Sequence, residues 1–177
     1  MDRHFPAAPW PTSLKVVSFF GAIVLGAVSW AAYRVIPTPA GFTHKFGLGV
    51  ALLPLALLIG CILFIVRGYT VDTAQLSVER LLTSTPVPLS GLSRVWADPA
   101  VCKGSLRVFG NGGLFSFTGW FYSKRLGRYR LFATDFRNAV VLKFPDRGVV
   151  VSPAAPHAFV EHLRHVVPGV HVGENSA

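Results

Sequence analysis

Residues 110–123 read GNGGLFSFTGWFYS, and this stretch is the clearest indication that the C-terminal half of the chain is built from strands. Its Asn111-Gly112 pair supplies the positive backbone φ angles that a two-residue hairpin turn requires. The run that follows, Leu114–Ser123, is rich in aromatic residues, which favour strands, and Gly119 within it is typical of a bulge. We therefore predict a strand at Ser105–Phe109, a turn at the Asn-Gly pair and a second strand at Leu114–Ser123.

Short runs of strand-forming residues continue on both sides of this predicted hairpin. Each run is bounded by the Gly, Pro, Asp and Ser residues that are typical of turns. The runs are Tyr69–Thr73, Leu76–Leu82, Pro86 to Trp96, Tyr129–Ala133, Ala139–Phe144 and Gly148–Ser152. The pattern predicts about seven antiparallel strands.

The last part of the chain changes from strand to helical periodicity. Pro156 suits a first helical turn, and Pro168-Gly169 ends the pattern. Apolar residues within the segment form one stripe: Phe159, Leu163, Val166 and Val167. We expect this amphipathic helix to cover the open end of a bent sheet, and the residues after it to form a flexible tail.

Two long uncharged segments stand at the other end of the chain, Val16–Tyr33 and Phe46–Val66. About 20 apolar residues cross a bilayer core as a helix, so both segments qualify as transmembrane helices. The composition agrees, since 51% of the residues are hydrophobic and only 14% are charged. Two buried helices of a soluble protein are the alternative.

The first apolar segment also has features of a cleaved signal peptide. Arg3 and Lys15 form a basic flank, and small residues surround Trp30. The preceding segment is long and proline-rich and the apolar run exceeds a usual signal core, which favours a retained helix. Cleavage stays open.

The two predicted helices are joined by Arg34–Lys45, whose Pro37, Pro39 and Gly41 suit a tight hairpin. Small residues at intervals of four let helix backbones approach closely in membranes. This spacing predicts that the helices pack through Ser18, Ala22, Gly26, Ala56 and Gly60.

Charge and cysteine content indicate where the termini lie. The chain carries a net charge of +9. Arg3, Lys15, Arg67 and Arg80 lie on the side of the termini, whereas Arg34 and Lys45 lie in the hairpin loop, which places both termini in the cytoplasm. The two cysteines lie one in a predicted span and one in the C-terminal region, which fits a reducing compartment.

The order of elements and the local sequence resemble a known family. The residues that carry the resemblance are Gly110–Tyr122, Leu126–Asp135, Asn138–Val141 and Val150–Pro153, followed by Phe159. They are similar to the bacterial pleckstrin-homology-like (PH-like) domains, in the version anchored by two membrane helices. The resemblance implies a split β-barrel capped by a C-terminal helix, and it implies no catalytic residues.

The predicted organisation has four parts. An N-terminal cytoplasmic segment spans residues 1–13, and a two-helix transmembrane hairpin spans residues 14–67. The PH-like domain spans residues 68–168, and a flexible tail spans residues 169–177. The fold class is thus a membrane α-helical hairpin plus a PH-like split β-barrel.

The sequence contains no recognisable catalytic or nucleotide-binding motif. There is no Gly-x-Ser-x-Gly elbow and no phosphate-binding loop. His157, Glu161 and His165 share one face of the predicted last helix, but we interpret them as its solvated face and assign no metal. We predict a non-enzymatic protein without a cofactor.

A basic cluster beside the predicted hairpin is the strongest functional signal. Its members, interleaved with aromatic residues, are Lys124, Arg125, Arg128 and Arg130. They are candidates for binding lipid headgroups or a partner, and an ordinary positive surface facing the membrane is the alternative.

We therefore expect a membrane-anchored interaction module at the cytoplasmic face of the inner membrane. Its predicted partners are membrane lipids and a protein or peptide, with homo-oligomerisation left open. Nucleic acid is not expected, because no groove-reading element is visible. The alternative function is a sensor of anionic lipid headgroups that acts through the basic cluster.

Overall fold

The computed structural model describes residues 2–36 and 42–173. The predicted turn residues Pro37, Pro39 and Gly41 lie outside the described residues.

Two N-terminal helices occupy the predicted apolar segments. Helix α1 spans Thr12–Arg34 and helix α2 spans Phe42–Leu63. Both are long and apolar enough to cross a membrane, and only 6% of each apolar window is buried within the chain. The helices pack on each other, and the Ser29 hydroxyl donates a hydrogen bond to the carbonyl of Ala51. The prediction of two helices that could be transmembrane is confirmed.

The rest of the described chain is built from strands, one short 3₁₀ helix at Phe136–Asn138 and helix α3 at Pro156–Val166. The strands are β1 (Arg3–Pro6), β2 (Gly68–Val71), β3 (Gln75–Glu79), β4 (Ser84–Pro88), β5 (Arg94–Ala97), β6 (Leu106–Leu114), β7 (Ser116–Ser123), β8 (Gly127–Ala133), β9 (Val140–Lys143), β10 (Gly148–Val151) and β11 (His171–Val172).

The strands form two sheets. The first has the order β1-β2-β3-β4, and the second has the order β11-β5-β9-β10-β8-β7-β6. Most neighbours are antiparallel, but β10 runs parallel to β8 and β11 runs parallel to β5. The predicted split barrel of about seven antiparallel strands is therefore wrong in two respects: the sheet is not closed and its directions are mixed.

The parallel pair follows from the composition of β10. Its sequence Gly-Val-Val-Val is buried at every position, as expected for a strand covered on both faces. Such a strand belongs in the middle of a sheet, and β10 lies between β9 and β8. It pairs antiparallel with β9 on one side and parallel with β8 on the other.

The hairpin between β6 and β7 turns later than the sequence predicts. Gly110 pairs with Gly119 and Gly112 with Phe117, so the glycine-rich stretch belongs to β6. The chain reverses at Phe115, which has a φ of 65°. Outside groups hold this tight turn, because the Phe115 amide donates to Ser18 of α1 at 2.8 Å. The predicted Asn-Gly turn is wrong for that reason.

Strand β1 precedes α1 and is absent from the predicted strands. It pairs antiparallel with β2, which begins shortly after α2, so both ends of the helix pair are fixed to one sheet. Phe5 of β1 reaches the main core and packs edge-on against Phe159 of α3, with ring centroids 5.1 Å apart. The strand has four residues and buries only Phe5, so it carries no alternation that the sequence could reveal.

The two faces of the seven-stranded sheet carry separate cores. The larger core joins both sheets to α3 and contains Tyr69, Phe132 and Phe159. The smaller core lies on the other face around Tyr129 and Leu131. The predicted C-terminal helix is confirmed, whereas His171–Val172 form β11 where the sequence predicts tail.

Candidate functional site

The predicted basic cluster divides between a turn and a strand. Lys124 and Arg125 are exposed in the turn between β7 and β8, whereas Arg128 and Arg130 lie on β8. A guanidinium nitrogen of Arg125 lies 3.4 Å from a carboxylate oxygen of the buried Asp98. Arg125 is therefore partly neutralised, and the structure does not present the four residues as one uniform surface.

Alternation along β8 decides where its arginines point. Tyr129 and Leu131 are buried in the smaller core, so Arg128 and Arg130 occupy the opposite face. Trp120 is the cross-strand partner of Arg130 on β7. The guanidinium carbons of Arg128 and Arg130 lie 4.5 and 5.6 Å from the centre of the Trp120 ring. Such cation–π contacts hold both side chains against the sheet.

Two further arginines, which the sequence analysis missed, join this face. Arg80 lies 4.5 Å from the ring centre of Phe64 and 5.6 Å from that of Phe132. Arg147 lies 4.5 Å from the ring centre of Phe144. Nothing in the sequence signals these contacts, because the residues are far apart along the chain. We call Arg80, Arg128, Arg130 and Arg147 the arginine cluster.

The arginine cluster is electrostatically unbalanced. Among the described residues, no ion pair joins its members to a carboxylate. Burial and the charge of Arg130 lower the pKa of Arg80, and burial and the charge of Arg147 lower that of Arg130. The Nε atoms of Arg80 and Arg147 are buried without a hydrogen-bond partner in the described part of the chain. A bound anion would stabilise such a cluster.

A cavity of about 470 Å³ lies between the end of α2 and this face of the sheet. Helix α2 and the segment after it provide an apolar wall, the sheet provides aromatic rings and glycine backbone, and two arginines complete the lining. The lining residues are Ala56, Leu57, Gly60, Cys61, Phe64, Arg80, Phe109, Gly110, Asn111, Thr118, Gly119, Trp120, Arg130 and Phe132.

The small residues predicted to pack the helices have separate surroundings. Ser18 is buried and faces the turn at Phe115, whereas Gly60 and Ala56 line the cavity. A Cβ atom added at Gly26 or Gly60 would meet no atom within 4 Å. Ala22 is half-buried on α1. The packing between the helices includes the hydrogen bond from Ser29 to the carbonyl of Ala51, neither of which belongs to the predicted set.

Strand β6 presents an apolar sheet edge. It is the last strand of the seven-stranded sheet, and its outer edge pairs with no other described strand. The side chains of Leu106, Val108 and Phe109 are 70%, 56% and 76% exposed. Exposed apolar side chains on a long unpaired edge are typical of a surface that receives another chain.

The polar face of α3 forms local contacts. Glu161 lies 3.7 Å from Arg164 and 3.6 Å from His165. Within residues 2–36 and 42–173, no group of three or more metal-ligating side chains is found.

Comparison with known proteins gives one family match. A family model described as "Bacterial PH domain" matches residues 67–167, which is more than half of the chain. No curated protein and no solved structure matches the chain.

Proposed function

We propose, from the premise that this chain belongs to the bacterial PH domain family, that it is a membrane-anchored interaction module. The module docks a protein or peptide partner at the cytoplasmic face of the inner membrane. PH domains generally mediate lipid or protein interactions and are generally non-enzymatic. The observation that carries the proposal is the open apolar edge of β6. An extended partner segment would add to this edge as a further strand.

The other sheet edges are poorer docking sites. Strand β4 contains Pro86 and Pro88, which lack the N–H groups that a ladder needs. Strand β11 has only two residues and β1 only four. Strand β6 is nine residues long and contains no proline. The end of β6 at Leu114 packs against Gly21 of α1, but Leu106–Gly110 are all exposed, and this run is longer than β1 or β11.

The surroundings of β6 indicate the chemistry of the partner segment. Leu106 and Val108 would contact apolar side chains of the added strand. The exposed Arg107 on β6 and Lys124 in the neighbouring turn favour acidic residues beside those apolar ones. The partner segment is thus extended and apolar with acidic flanks.

Membrane anchoring is supported by the apolar helix pair. Most side chains of α1 and α2 are uncovered within the chain. Because β1 and β2 pair, the segments that enter and leave the helix pair lie on one side of it. The excess of basic residues near that side favours the cytoplasm. Anchoring raises the local concentration of the domain near other membrane components, so a weak docking contact is occupied.

Site-specific photocrosslinking in native membranes tests the docking edge. A photoreactive residue at Leu106 or Val108 of the full chain should crosslink to one short apolar segment of a partner protein. The same probe at Leu82, which is 75% exposed in the turn between β3 and β4 of the other sheet, serves as the control. Equal crosslinking from Leu82, or crosslinks only to a second copy of this chain, would contradict a dedicated edge for a foreign partner.

The alternative function is a sensor of anionic headgroups that uses Lys124, Arg125, Arg128 and Arg130. The stacking of Arg128 and Arg130 on Trp120 favours it, because both charges are held in place. The pairing of Arg125 with Asp98 weakens it. Loss of anionic-vesicle binding by Lys124→Gln, with β6 crosslinks unchanged, would favour this alternative over docking.

A further inference from the structure

The cavity beside α2 combines an apolar wall with a wall that carries positive charge. One wall is the apolar end of α2, with Ala56, Leu57 and Gly60. The opposite wall carries the guanidinium groups of Arg80 and Arg130. A ligand that fills the whole cavity must therefore have an apolar part and an anionic part.

Glycine residues line the cavity on both the helix side and the sheet side. A Cβ atom at Gly110 would collide with the carbonyl oxygen of Thr118, and one at Gly119 with that of Phe109. Both glycines also have positive φ angles, of 117° and 139°. The close approach of β6 and β7 thus requires glycine at both positions, and the two glycines form part of the cavity lining. At Gly60, in contrast, an added Cβ atom would meet no atom within 4 Å, so the wall formed by α2 is open at that position.

The charged wall is prepared for an anion. Arg80 stacks on Phe64 and Phe132, which fixes its guanidinium while leaving its hydrogen-bonding groups free of acidic partners among the described residues. Its buried Nε has no hydrogen-bond partner there. Arg80 and Arg130 both contact the Phe132 ring, with guanidinium carbons 5.6 and 4.9 Å from its centre. Burial lowers the pKa of Arg80, and the nearby charge of Arg130 lowers it further, so the two cations on this wall repel each other. A phosphate between them would relieve this repulsion and accept hydrogen bonds from both.

We propose that this cavity binds an anionic phospholipid, with the phosphate between Arg80 and Arg130 and an acyl chain along Ala56, Leu57 and Gly60 of α2. The proposal rests on the membrane anchoring proposed above, because α2 would carry the cavity at the edge of the bilayer. The site shares Arg130 with the predicted basic cluster but is distinct from the rest of it, since Lys124, Arg125 and Arg128 do not line the cavity.

Other ligands use only part of the cavity. A free phosphate ion would bind the arginines and leave the apolar wall of α2 exposed to water. An acidic peptide would have to bury polar backbone against Leu57 and Gly60, which is costly without hydrogen-bond partners. A phospholipid can contact both walls, because its charged headgroup, which would bind the arginines, is joined to apolar acyl chains, which would pack against α2.

Native mass spectrometry of the full chain in a mild detergent tests the proposal. The probes are phosphatidylglycerol, phosphatidylcholine and soluble glycerol 3-phosphate. Phosphatidylglycerol should be retained by the protein at least about five-fold more tightly than phosphatidylcholine, the ratio expected for one basic contact. Glycerol 3-phosphate should not displace it, because the soluble headgroup lacks the acyl chain.

Two substitutions locate the bound lipid. Gly60→Leu should fill the cavity without disturbing the chain, and retention of phosphatidylglycerol should be lost. Gly26→Leu on α1 is the matched control, because an added side chain there also meets no neighbour. Arg80→Gln should weaken retention about five-fold, whereas Lys124→Gln removes a charge outside the cavity and should leave it unchanged.

Three outcomes would overturn the proposal. These are wild-type retention by both Gly60→Leu and Arg80→Gln, equal retention of the two phospholipids, and loss of retention in Lys124→Gln. Displacement by glycerol 3-phosphate would overturn the role of the acyl chain. These measurements are made in detergent, so they are independent of the β6 crosslinks. Failure of the docking proposal and failure of this one are thus distinguishable.

Discussion

The helix pair and the sheet domain are both rich in apolar residues, but the sheet domain buries them within the chain and the helix pair exposes them. In the sheet domain, Tyr69, Leu131 and Phe159 have no exposed surface. On α1, Phe19 is 63% exposed, and neighbouring apolar side chains are uncovered in the same way. The sheet domain completes its core from its own strands, whereas the helix pair leaves its apolar surface for its surroundings to cover.

The sheet domain is stabilised by burial within the chain, whereas the helix pair has the length and exposed apolar surface of segments that could cross a membrane. Burial from water within the chain stabilises the sheet domain, with tyrosine hydroxyls among the few polar groups inside. The Tyr69 hydroxyl donates to the carbonyl of Phe132 at 2.7 Å and accepts from the amide of Ser152 at 3.0 Å. Uncovered apolar helices of this length are typical of contact with lipid.

The two regions meet at a small number of specific contacts. The Ser18 hydroxyl accepts a hydrogen bond from the Phe115 amide, and the Ser116 hydroxyl donates to the carbonyl of Phe64 at 3.3 Å. The β6–β7 turn therefore contacts both the first helix and the end of the second. These contacts hold the helix pair at a defined place on the sheet domain.

The largest expected effect is a loss of unfolding free energy, and it tests whether burial of apolar side chains stabilises the sheet domain but not the helix pair. Phe159→Ala removes a fully buried ring and should reduce the free energy of unfolding by about 3–5 kcal/mol. Phe19→Ala removes the same ring from the exposed surface of α1 and should change it by less than about 0.5 kcal/mol. Thermal unfolding of the full chain in detergent measures both. Similar losses in the two variants would contradict the comparison.

A smaller effect is expected at the contact between the regions. Ser18→Ala leaves the amide of Phe115 without its acceptor and should cost about 1 kcal/mol. Hydrogen exchange at Phe115 should become faster, while exchange within β10 should stay slow. Ser13→Ala, an exposed serine in the first turn of α1, is the control. Unchanged exchange at Phe115 in Ser18→Ala would show that the contact does not hold the turn.

The smallest effect is a dependence of stability on pH within the sheet domain. Burial raises the pKa of Asp135, but hydrogen bonds and charge from Arg137 outweigh it, so the pKa is lowered overall. A lowered folded-state pKa stabilises the fold above the unfolded value of about 3.9, and this contribution is lost as the pH falls below it. The stability difference between wild type and Asp135→Asn should therefore shrink as the pH is lowered from about 6 to about 3.

A double-substitution cycle distinguishes the contribution of the Asp135–Arg137 ion pair to the pH dependence of stability from that of other groups. Arg137→Gln alone should remove the side-chain part of the pH-dependent contribution that Asp135→Asn removes, because the backbone N–H of residue 137 still donates to Asp135 at 3.0 Å. Combining the two should remove little more, because each variant already breaks the pair. Additive losses would show that Asp135 is stabilised by other groups.

Local patterns predicted the elements, and their errors have physical causes. The uncharged lengths at Val16–Tyr33 and Phe46–Val66 predicted both helices, and the stripe with Phe159 and Leu163 predicted α3. The turn of the β6–β7 hairpin was misplaced because Ser18, distant in sequence, holds Phe115. Strand β1 was missed because its stability comes from pairing with β2 across the helix pair.

The candidate site was predicted less completely than the fold. Arg128 and Arg130 were found as a local run of basic residues beside aromatic ones. Arg80 and Arg147 were missed, because only the packing of β3, β8 and the β9–β10 turn brings them to the same face. The apolar wall from α2 was missed for the same reason.

By itself, the sequence determined the two apolar helices, most of the strands, the final amphipathic helix and the family. These depend on periodicity and hydropathy, which are properties of neighbouring residues. The tertiary structure alone decided the open mixed sheet, the edge at β6, and the cavity between Arg80, Arg130 and Gly60. They depend on which distant segments pair and pack, and that choice is made by the burial of the whole chain rather than by any local pattern.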